Sequence, residues 1–350
     1  MTQKATHNLY TVLTVKDIIE EARDFKTFVF HDDHDLHYEA GQFLTLVHNT
    51  AHEEIRRSYS ITSSPALNEP LSIGVRRITN GIFSRQLIDK TKVGDALLTS
   101  GVGGFFRLPE QMDPYKAIIF FAAGSGITPI ISLLKTILHV HHSVNVKLLY
   151  SNSSPGYVPY HLILKQLENK FSDRFQIDYL FSTTPDLRKA HLNRDYIIRY
   201  WNDHNIDSLN TLFYVCGPES YMRMVTYVLH LQGVKDQNIR REDFVPNKKI
   251  SAKLKPPDEG NYFVTLQYED RQHKINVKYP DTILQAAKKE KLSLPYSCET
   301  GKCGNCAALC LSGEVWLSNN EVLTDKELKK GLTLTCVGHP INGDVILKMD

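Results

Sequence analysis

Four cysteines near the C-terminus have the residue type and spacing with the clearest chemistry in this sequence. Cys298, Cys303 and Cys306 lie within nine residues, and Cys336 follows thirty residues after the third of them. The pattern C-x4-C-x2-C…C is typical of a [2Fe–2S] cluster held by four thiolates. Gly301 lies inside this loop, where it lets the backbone wrap tightly around a small inorganic core. Because such a cluster carries one electron at a time, the spacing predicts an electron-transfer protein.

A structural zinc site or a set of disulfides explains these cysteines less well. Structural zinc sites usually contain paired C-x2-C knuckles, whereas the fourth cysteine here stands alone. Disulfides need an oxidising compartment, and the first residues lack the apolar segment behind a basic start that marks a secretory signal. We therefore expect a cytoplasmic protein whose thiolates stay reduced and bind iron. Cys310 is expected to pack as a small apolar residue.

The composition is that of a soluble protein with several domains. A chain of 350 residues suits two or three domains, and 42% hydrophobic with 23% charged residues is ordinary for globular proteins. A formal net charge of +2 argues against a nucleic-acid partner. The longest apolar run, Ala117–Ala123, is far shorter than the ~20 residues of a membrane helix, so no membrane partner is predicted.

The pattern of apolar residues changes twice along the chain. Residues 1–112 contain short β-rich runs between turn signals, which predict a small antiparallel β-barrel. Residues 113–245 alternate apolar strands with amphipathic helices, the pattern of a doubly wound α/β domain. Residues 246–260 contain three prolines and four lysines and predict an extended linker. Residues 261–350 form a third domain, which carries the cysteines.

Two runs in the first segment have residues suited to a phosphate-bearing ring cofactor. Arg57 and Tyr59 lie on one face of a predicted strand, and Ser60 lies on the other. A guanidinium binds phosphate in a bidentate manner, and a tyrosine offers a flat face to a ring system. Gly81 opens a predicted helix that contains Ser84, and free N–H groups at a helix N-terminus bind pyrophosphate. Taken singly, each run is also explained by a surface strand or by a glycine turn before a helix.

A third run, in the second segment, lies where α/β folds bind nucleotides. Gly124 and Gly126 follow a predicted strand, and Thr128 and Pro129 begin a predicted helix. Pro129 takes the place of the third glycine in G-x-G-x-x-G, but proline suits the first turn of a helix. The helix N-terminus therefore stays available for an anion.

A fourth run ends another predicted strand with Cys216, followed by Gly217 and Pro218. A side chain at the carboxyl end of a parallel strand faces the crevice in which ligands bind. A buried cysteine that serves only packing is the simpler explanation of Cys216 by itself.

Together and in this order, the four runs resemble the ferredoxin–NADP⁺ reductase superfamily, and the cysteine segment resembles plant-type ferredoxin. The resemblance covers nearly the whole chain and comes nearest to the reductase components of the phenylacetyl-CoA epoxidase group and related oxygenase reductases. It implies a flavin-binding barrel, an NAD(P)H-binding α/β domain and an α+β ferredoxin-like domain of the β-grasp type. The cofactors that it implies are FAD, a [2Fe–2S] cluster and NADH or NADPH.

The resemblance also implies roles for individual residues. It places the isoalloxazine on Tyr59, flavin N5 near Ser60 and a flavin phosphate on Arg57, and it assigns catalytic roles to Ser60, Cys216 and Glu242. Phe244 is implied to lie near the flavin together with Glu242. The remaining cofactor-binding positions that it implies are Gly81, Ser84, Gly124, Gly126, Thr128, Pro129, Cys216, Gly217 and Pro218.

The resemblance leaves the choice of cofactors partly open. The run Gly81–Ser84 is similar to that of FAD-type members, which favours FAD over FMN. NADPH-selective relatives often carry an arginine just after the second or third strand of the nucleotide domain. Neither position has one here, which favours NADH unless Arg188 or Arg194 reaches the 2′-phosphate.

The sequence thus predicts an NAD(P)H-dependent reductase that passes electrons through FAD and a [2Fe–2S] cluster to an oxygenase. The oxygenase is expected to be of the phenylacetyl-CoA epoxidase type. A Rieske dioxygenase, a hydroxylase or a desaturase is an alternative acceptor. A non-catalytic redox sensor is an alternative of a different class, against which the complete nicotinamide-binding half argues.

The cysteine-bearing segment carries no net charge, which leads to a further expectation. Residues 261–350 contain eleven Lys or Arg and eleven Asp or Glu. Free ferredoxins of this type are acidic, and their charge steers them to reductases. A tether supplies a high effective concentration instead, so electron transfer within the chain is expected to depend weakly on ionic strength.

Overall fold

The structure, a computed structural model, describes residues 10–49, 54–186, 190–244, 255–268 and 271–349. The chain separates into two compact units, Met1–Phe244 and Val245–Asp350. Most of the predicted linker and Arg188 lie outside the described residues.

Six antiparallel strands form the first sheet, and alternating apolar residues give it a filled interior. The strands are β1 (Thr11–Ala22), β2 (Phe25–Phe30), β3 (Phe43–Asn49), β4 (Glu54–Ser60), β5 (Ser72–Arg76) and β6 (Ala96–Gly103). Their order is β4-β3-β6-β1-β2-β5. A bridge between Ile61 and Ile73 joins the two edge strands, so the sheet curls into a barrel. Helix α1 (Ile82–Lys90) contributes Phe83 and Leu87 to the barrel core.

A parallel sheet between helices forms the second part of this unit. Its strands are β7 (Ala117–Ala123), β8 (Asn145–Asn152), β9 (Phe175–Phe181), β10 (Thr211–Cys216) and β11 (Ile239–Glu242), in the order β11-β10-β7-β8-β9. The helices are α2 (Ile127–Val140), α3 (His161–Lys170), α4 (Arg194–Asp203) and α5 (Glu219–Leu231). Strand β10 is buried along its whole length, as expected for a parallel strand covered on both faces.

Helix α2 joins the barrel to the parallel sheet. The Ser132 hydroxyl donates to the Ser63 carbonyl oxygen at 2.6 Å, and the Lys135 ammonium pairs with Glu69 at 2.8 Å. On another face, the Tyr160 hydroxyl and the Thr27 hydroxyl lie 3.0 Å apart and are buried. These contacts hold the carboxyl edge of the parallel sheet against the barrel.

The second compact unit is a mixed sheet with a short helix packed on it. The elements are β12 (Asn261–Tyr268), β13 (Arg271–Lys278), α6 (Ile283–Lys289), β14 (Ala307–Leu317), α7 (Asp325–Lys329), β15 (Leu332–Leu334) and β16 (Gly338–Lys348). The order is β13-β12-β16-β14-β15, with β12 and β16 parallel and the other neighbours antiparallel. Helix α6 begins at a capping box formed by Thr282 and Gln285 and buries Ile283, Leu284 and Ala287.

These architectures confirm the predicted fold class: an antiparallel barrel, a doubly wound α/β domain and a C-terminal α+β domain. Within the described residues, no helix is long and apolar enough to cross a membrane.

Candidate functional site

Strand β4 and the start of α1 meet at one side of the barrel. Tyr59 is half-buried, and its ring lies edge-on to the Phe83 ring with centroids 6.1 Å apart. Arg57 is exposed, and its Nη1 donates to the Arg56 carbonyl oxygen at 2.7 Å. Ser60, one residue beyond Tyr59, is buried. The structure therefore places the Tyr59 ring against the first turn of α1, with Arg57 exposed and Ser60 buried on the same strand.

Gly81 caps α1, and the turn before it leaves no room for a larger residue. A Cβ at Gly81 would lie 2.5 Å from the Ser84 Oγ. That oxygen accepts a hydrogen bond from the Ile78 backbone N–H at 3.2 Å. The first N–H groups of a helix have no partner within the helix, so this end of α1 presents donors to an anion. These donors, and the exposed Arg57 of β4, are groups of the kind that bind the phosphate or pyrophosphate of a flavin.

The carboxyl group of Glu242, at the end of β11, reaches the barrel. The Ser60 hydroxyl donates to Glu242 Oε1 at 3.4 Å. Glu242 Oε2 is buried and has no hydrogen-bond partner among the described residues. Burial raises the pKa of Glu242 to about 8, and the hydrogen bond from Ser60 opposes that rise. The carboxyl group is therefore largely protonated at neutral pH and has a free oxygen for a ligand.

Cys216 lies beside Glu242, because the two residues are direct neighbours in the register of β10 and β11. The Cys216 thiol is fully buried. Burial raises its pKa well above the ordinary value, and the carboxyl groups of Glu242 and Asp243 add to that rise. The thiol therefore stays neutral. Ser60, Cys216 and Glu242, which are far apart in sequence, meet at one place, and Phe244 follows two residues later with 40% of its surface exposed.

The loop after β7 packs directly on the end of β10. A Cβ at Gly126 would lie only 2.1 Å from the Cys216 carbonyl oxygen, so only glycine fits at this approach. Gly124 has φ +54°, a left-handed conformation that glycine adopts readily. Thr128 and Pro129 are both buried in the first turn of α2, and the Thr128 hydroxyl donates to the Ser125 carbonyl oxygen at 2.9 Å. Their side chains shape the loop and do not line the cleft beside it.

A cleft of about 330 Å³ opens at the carboxyl edge of the parallel sheet. The sheet contributes residues that end or follow β7, β8, β9 and β10, including Gly124, Ser151, Asn152, Ser182, Pro218 and Tyr221. Gly217 packs beneath this edge, where a Cβ would lie 2.9 Å from the Ala123 Cβ. The position matches the crevice in which doubly wound sheets bind nucleotides.

Two arginines that line this cleft belong to the barrel, and neither is part of a motif identified in the sequence. Arg76 ends β5, and its Nη1 would lie 3.2 Å from a Cβ at Gly124, so its guanidinium faces the loop after β7. Arg23 belongs to the turn between β1 and β2 and also lines the cleft. No spacing in the sequence links a turn of the barrel to the nucleotide-binding loop, so no local signal identifies either residue.

The four motif cysteines of the second unit lie together. The Cys303 and Cys336 thiols interact with the Cys298 sulfur and lower its pKa, and Cys336 also interacts with Cys306. Cys306 and Cys336 are buried, whereas the other two are partly exposed. The backbone N–H of Thr300 points to the Cys298 sulfur at 3.4 Å, as donors do around metal-bound thiolates.

The backbone of this loop fits an enclosed cluster. Gly301 has φ +76°, and a Cβ there would lie 2.8 Å from the Asn319 carbonyl oxygen. Four converging sulfurs on a tight loop are the donor set that a [2Fe–2S] cluster requires. Cys310 stands apart on β14, where its thiol contacts the Ser312 and Gly313 carbonyl oxygens at 3.5 Å.

Three family models match consecutive parts of the chain. Residues 10–107 match an oxidoreductase FAD-binding domain, residues 120–227 an oxidoreductase NAD-binding domain, and residues 266–340 a 2Fe-2S iron-sulfur cluster binding domain. These matches and the fold give the chain the FAD-binding and NAD-binding domains of an oxidoreductase, followed by a C-terminal [2Fe–2S] domain. The chain uses FAD, a [2Fe–2S] cluster and a pyridine nucleotide.

Curated relatives match over almost their whole length. One component of the 1,2-phenylacetyl-CoA epoxidase from Escherichia coli K12 is 29% identical, over 97% of each chain. The ferredoxin reductase component of 3-ketosteroid-9-alpha-monooxygenase from Mycolicibacterium smegmatis is also 29% identical, over 97% of this chain and 96% of the relative. Among solved structures, phthalate dioxygenase reductase aligns with a TM-score of 0.59 and 24% identity, covering 97% of this chain and 98% of that one.

Proposed function

We propose that this protein is the reductase component of an oxygenase system, taking electrons from NAD(P)H and delivering them singly to an oxygenase. The observation that carries the proposal is the meeting of Ser60, Glu242 and Cys216 beside the nucleotide cleft, in a chain that also gathers four cysteines. A pyridine nucleotide donates two electrons together, whereas a [2Fe–2S] cluster accepts one. The flavin, when bound, accepts the hydride and releases its electrons one at a time.

The residues of the barrel hold and orient the flavin in this proposal. The flavin phosphates bind to Arg57 and to the first N–H groups of α1. Gly81 and Ser84 shape the turn that presents these groups. Tyr59 provides a flat surface for the ring, and Phe244 lies near the ring as the chain leaves β11. The half-buried and exposed states of these side chains support such contacts with a ligand.

The site of hydride transfer from nicotinamide to flavin is formed by Ser60, Cys216 and Glu242. Ser60 would supply a hydroxyl to the flavin ring, and Glu242, with its raised pKa, would hold a proton next to that hydroxyl at neutral pH. Cys216 is buried and neutral, so it contributes shape rather than charge and lets the nicotinamide approach closely. The loops that bind the pyrophosphate are formed and supported by Gly124, Gly126, Thr128, Pro129, Gly217 and Pro218.

Cys298, Cys303, Cys306 and Cys336 are the proposed cluster ligands. Thiolate ligands need a reducing compartment, which supports a cytoplasmic location. We place the domains at residues 1–112, 113–245 and 261–350, with a linker between the last two. The matched ranges of the family models lie inside these proposed limits.

The acceptor is proposed to be an oxygenase of the phenylacetyl-CoA epoxidase type. The match to a component of such an epoxidase over 97% of both chains supports this choice. A monooxygenase reductase matches as well at the same identity, so a Rieske dioxygenase, a hydroxylase or a desaturase is the second candidate.

An anaerobic titration of the purified protein with NADH and then NADPH tests the proposed function. We expect the visible absorbance of both flavin and cluster to bleach within about two equivalents of coenzyme, because the two cofactors together accept three electrons and each coenzyme supplies two. Bleaching of the flavin alone would mean that the cluster is not reached and would contradict the proposed electron path. Failure of the protein to reduce an artificial one-electron acceptor catalytically would favour a redox sensor.

A pair of cysteine variants sharpens the test. Cys306→Ala should remove the cluster absorbance and iron, while reduction of the flavin by coenzyme persists. Cys310→Ala is the matched control, because Cys310 is a cysteine of the same unit whose thiol donates to the Ser312 and Gly313 carbonyl oxygens. Loss of iron in the control and not in Cys306→Ala would overturn the ligand assignment.

A further inference from the structure

The order of the parallel strands sets the direction in which a dinucleotide lies across the cleft. Neighbouring strands are ~4.8 Å apart, so the ends of β10, β7, β8 and β9 are evenly spaced along the carboxyl edge of the sheet. If the nicotinamide lies near Cys216 on β10 and the pyrophosphate at Gly124 after β7, the adenosine lies over the ends of β8 and β9. This placement rests on the proposed function.

The wall of the cleft at the end of β8 carries the side-chain amide of a buried asparagine. Asn152 is 7% exposed and lines the cleft. Its Nδ2 has no hydrogen-bond partner of good geometry among the described residues, and the side chain lies near the buried Tyr150 hydroxyl. A buried donor without a partner is unfavourable in the free protein, so this wall is suited to a ligand rich in oxygen acceptors.

Arg23 faces the same part of the cleft from the barrel. Its guanidinium carbon lies 5.7 Å from the centre of the Tyr157 ring, and Tyr157 follows β8 and also lines the cleft. The carboxylate that it approaches is that of Asp24, at the long distance of 4.0 Å. Stacking on an aromatic ring orients the guanidinium while leaving its edge donors available for an anion.

The charges along the cleft favour a phosphorylated ribose. The described residues that line the cleft include two arginines and one histidine, Arg23, Arg76 and His191, and no Asp or Glu. Nucleotide sites that select NADH commonly use a carboxylate to bind the ribose 2′-hydroxyl, whereas an arginine accommodates the 2′-phosphate of NADPH. Arg76 faces the loop after β7 and therefore the shared pyrophosphate, which leaves Arg23 for the 2′-phosphate.

We propose that Arg23, held over Tyr157 beside Asn152, binds the 2′-phosphate of NADPH, and that the protein uses NADPH in preference to NADH. The absence of an arginine directly after β8 and β9 favours NADH when the sequence is considered alone. In the folded chain the guanidinium comes from the turn between β1 and β2 of a different domain.

The test compares the two coenzymes and two nucleotide fragments on the full-length protein with its cofactors. In stopped flow, we expect Arg23→Gln to lower the second-order rate of flavin reduction by NADPH at least tenfold and that by NADH less than threefold. In calorimetry, we expect the wild type to bind 2′,5′-ADP at least tenfold more tightly than 5′-AMP, and Arg23→Gln to lose that difference. Arg194→Gln, an exposed arginine on α4 outside the cleft, should change neither ratio.

Several outcomes would overturn the inference. A wild type that prefers NADH, equal losses for both coenzymes in Arg23→Gln, or a shift of preference in Arg188→Gln instead would each remove Arg23 from this role. The proposed function fails separately: if 2′,5′-ADP binds through Arg23 but neither coenzyme reduces the flavin, the subsite stands and the reductase function does not. If both coenzymes reduce flavin and cluster regardless of Arg23, the function stands and the subsite does not.

Discussion

Glu242 illustrates how the surroundings of one side chain set its protonation. Its carboxyl group accepts a single hydrogen bond, from Ser60, and the other oxygen is buried without a partner among the described residues. Burial disfavours the charged form, so the pKa rises to about 8 from an ordinary value near 4.5. The result is an acid that holds its proton at neutral pH next to a neutral cysteine.

This raised pKa predicts a dependence of stability on pH. Between about pH 4.5 and 8 the folded protein holds a proton on Glu242 that the unfolded chain has released, so the stability contributed by this group falls as pH rises. Glu242→Gln, which is neutral and similar in shape, should lose this component. Thermal unfolding midpoints measured from pH 5 to 9 should therefore fall more steeply for the wild type than for the variant.

Glu110→Gln is the control for this experiment, since Glu110 is an exposed carboxylate. Its profile should run parallel to that of the wild type. If the Glu242→Gln profile is parallel as well, the carboxyl group is not buried as the structure shows.

At the scale of elements, the site depends on how closely the loop after β7 approaches the end of β10. The backbone of Gly126 lies against the carbonyl group of Cys216, and that strand is hydrogen-bonded in turn to β11, which carries Glu242. The phosphate-binding loop, the buried thiol and the carboxyl group are thus fixed relative to one another by backbone contacts. Small changes in this loop should therefore affect the coenzyme more than the flavin.

Gly126→Ala tests that dependence. The added methyl group would lie 2.1 Å from a backbone oxygen, so the loop and β10 must separate. Overpacking costs typically about 1–3 kcal/mol, and a loss of that size in the interaction with coenzyme corresponds to roughly a 5- to 150-fold decrease in the kcat/KM for coenzyme. The bound FAD content should stay unchanged, because the barrel motifs are not touched.

Gly156→Ala provides the matched control, because a Cβ at Gly156 would meet nothing within 4 Å. Steady-state reduction of ferricyanide measures both variants. Equal activities of the two variants would show that the approach of the loop to β10 is not critical.

At the scale of the molecule, two compact units carry different parts of the electron path. The unit Met1–Phe244 contains the flavin and coenzyme sites, and the unit Val245–Asp350 contains the cysteines. Residues 261–350 have eleven basic and eleven acidic side chains, so no net charge steers the second unit to the first. The covalent connection instead gives each unit a high effective concentration near the other.

Electron transfer from flavin to cluster should therefore change less than threefold between 20 mM and 500 mM salt. Screening by salt weakens steering between free, oppositely charged partners, but it leaves a tethered neutral domain almost unaffected. Stopped-flow absorbance of the cluster after mixing with coenzyme measures this rate. A tenfold or larger decrease at high salt would show that charge attraction controls the encounter.

The sequence by itself determined the parts that depend on local patterns. The spacing of the four cysteines predicts the iron–sulfur centre, because Cys298, Cys303 and Cys306 are close in sequence and therefore close in space, and a later lone cysteine, Cys336, completes the ferredoxin pattern. The alternation of strands and helices predicted the α/β domain, and the family matches confirm the FAD and nucleotide domains that the motifs indicated. The residue assignments within these motifs, including Arg57 and Gly81, stay predictions.

Only the tertiary structure decided which distant residues meet. The hydrogen bond between Ser60 and Glu242 joins residues 182 positions apart, and the buried state that raises the pKa of Glu242 arises from packing between two domains. Arg23 and Arg76 reach the nucleotide cleft from the barrel, so a search of the loops after β8 and β9 could not find them. Periodicity and motif spacing report on neighbours along the chain, whereas the charge of a cleft depends on every element that folds against it.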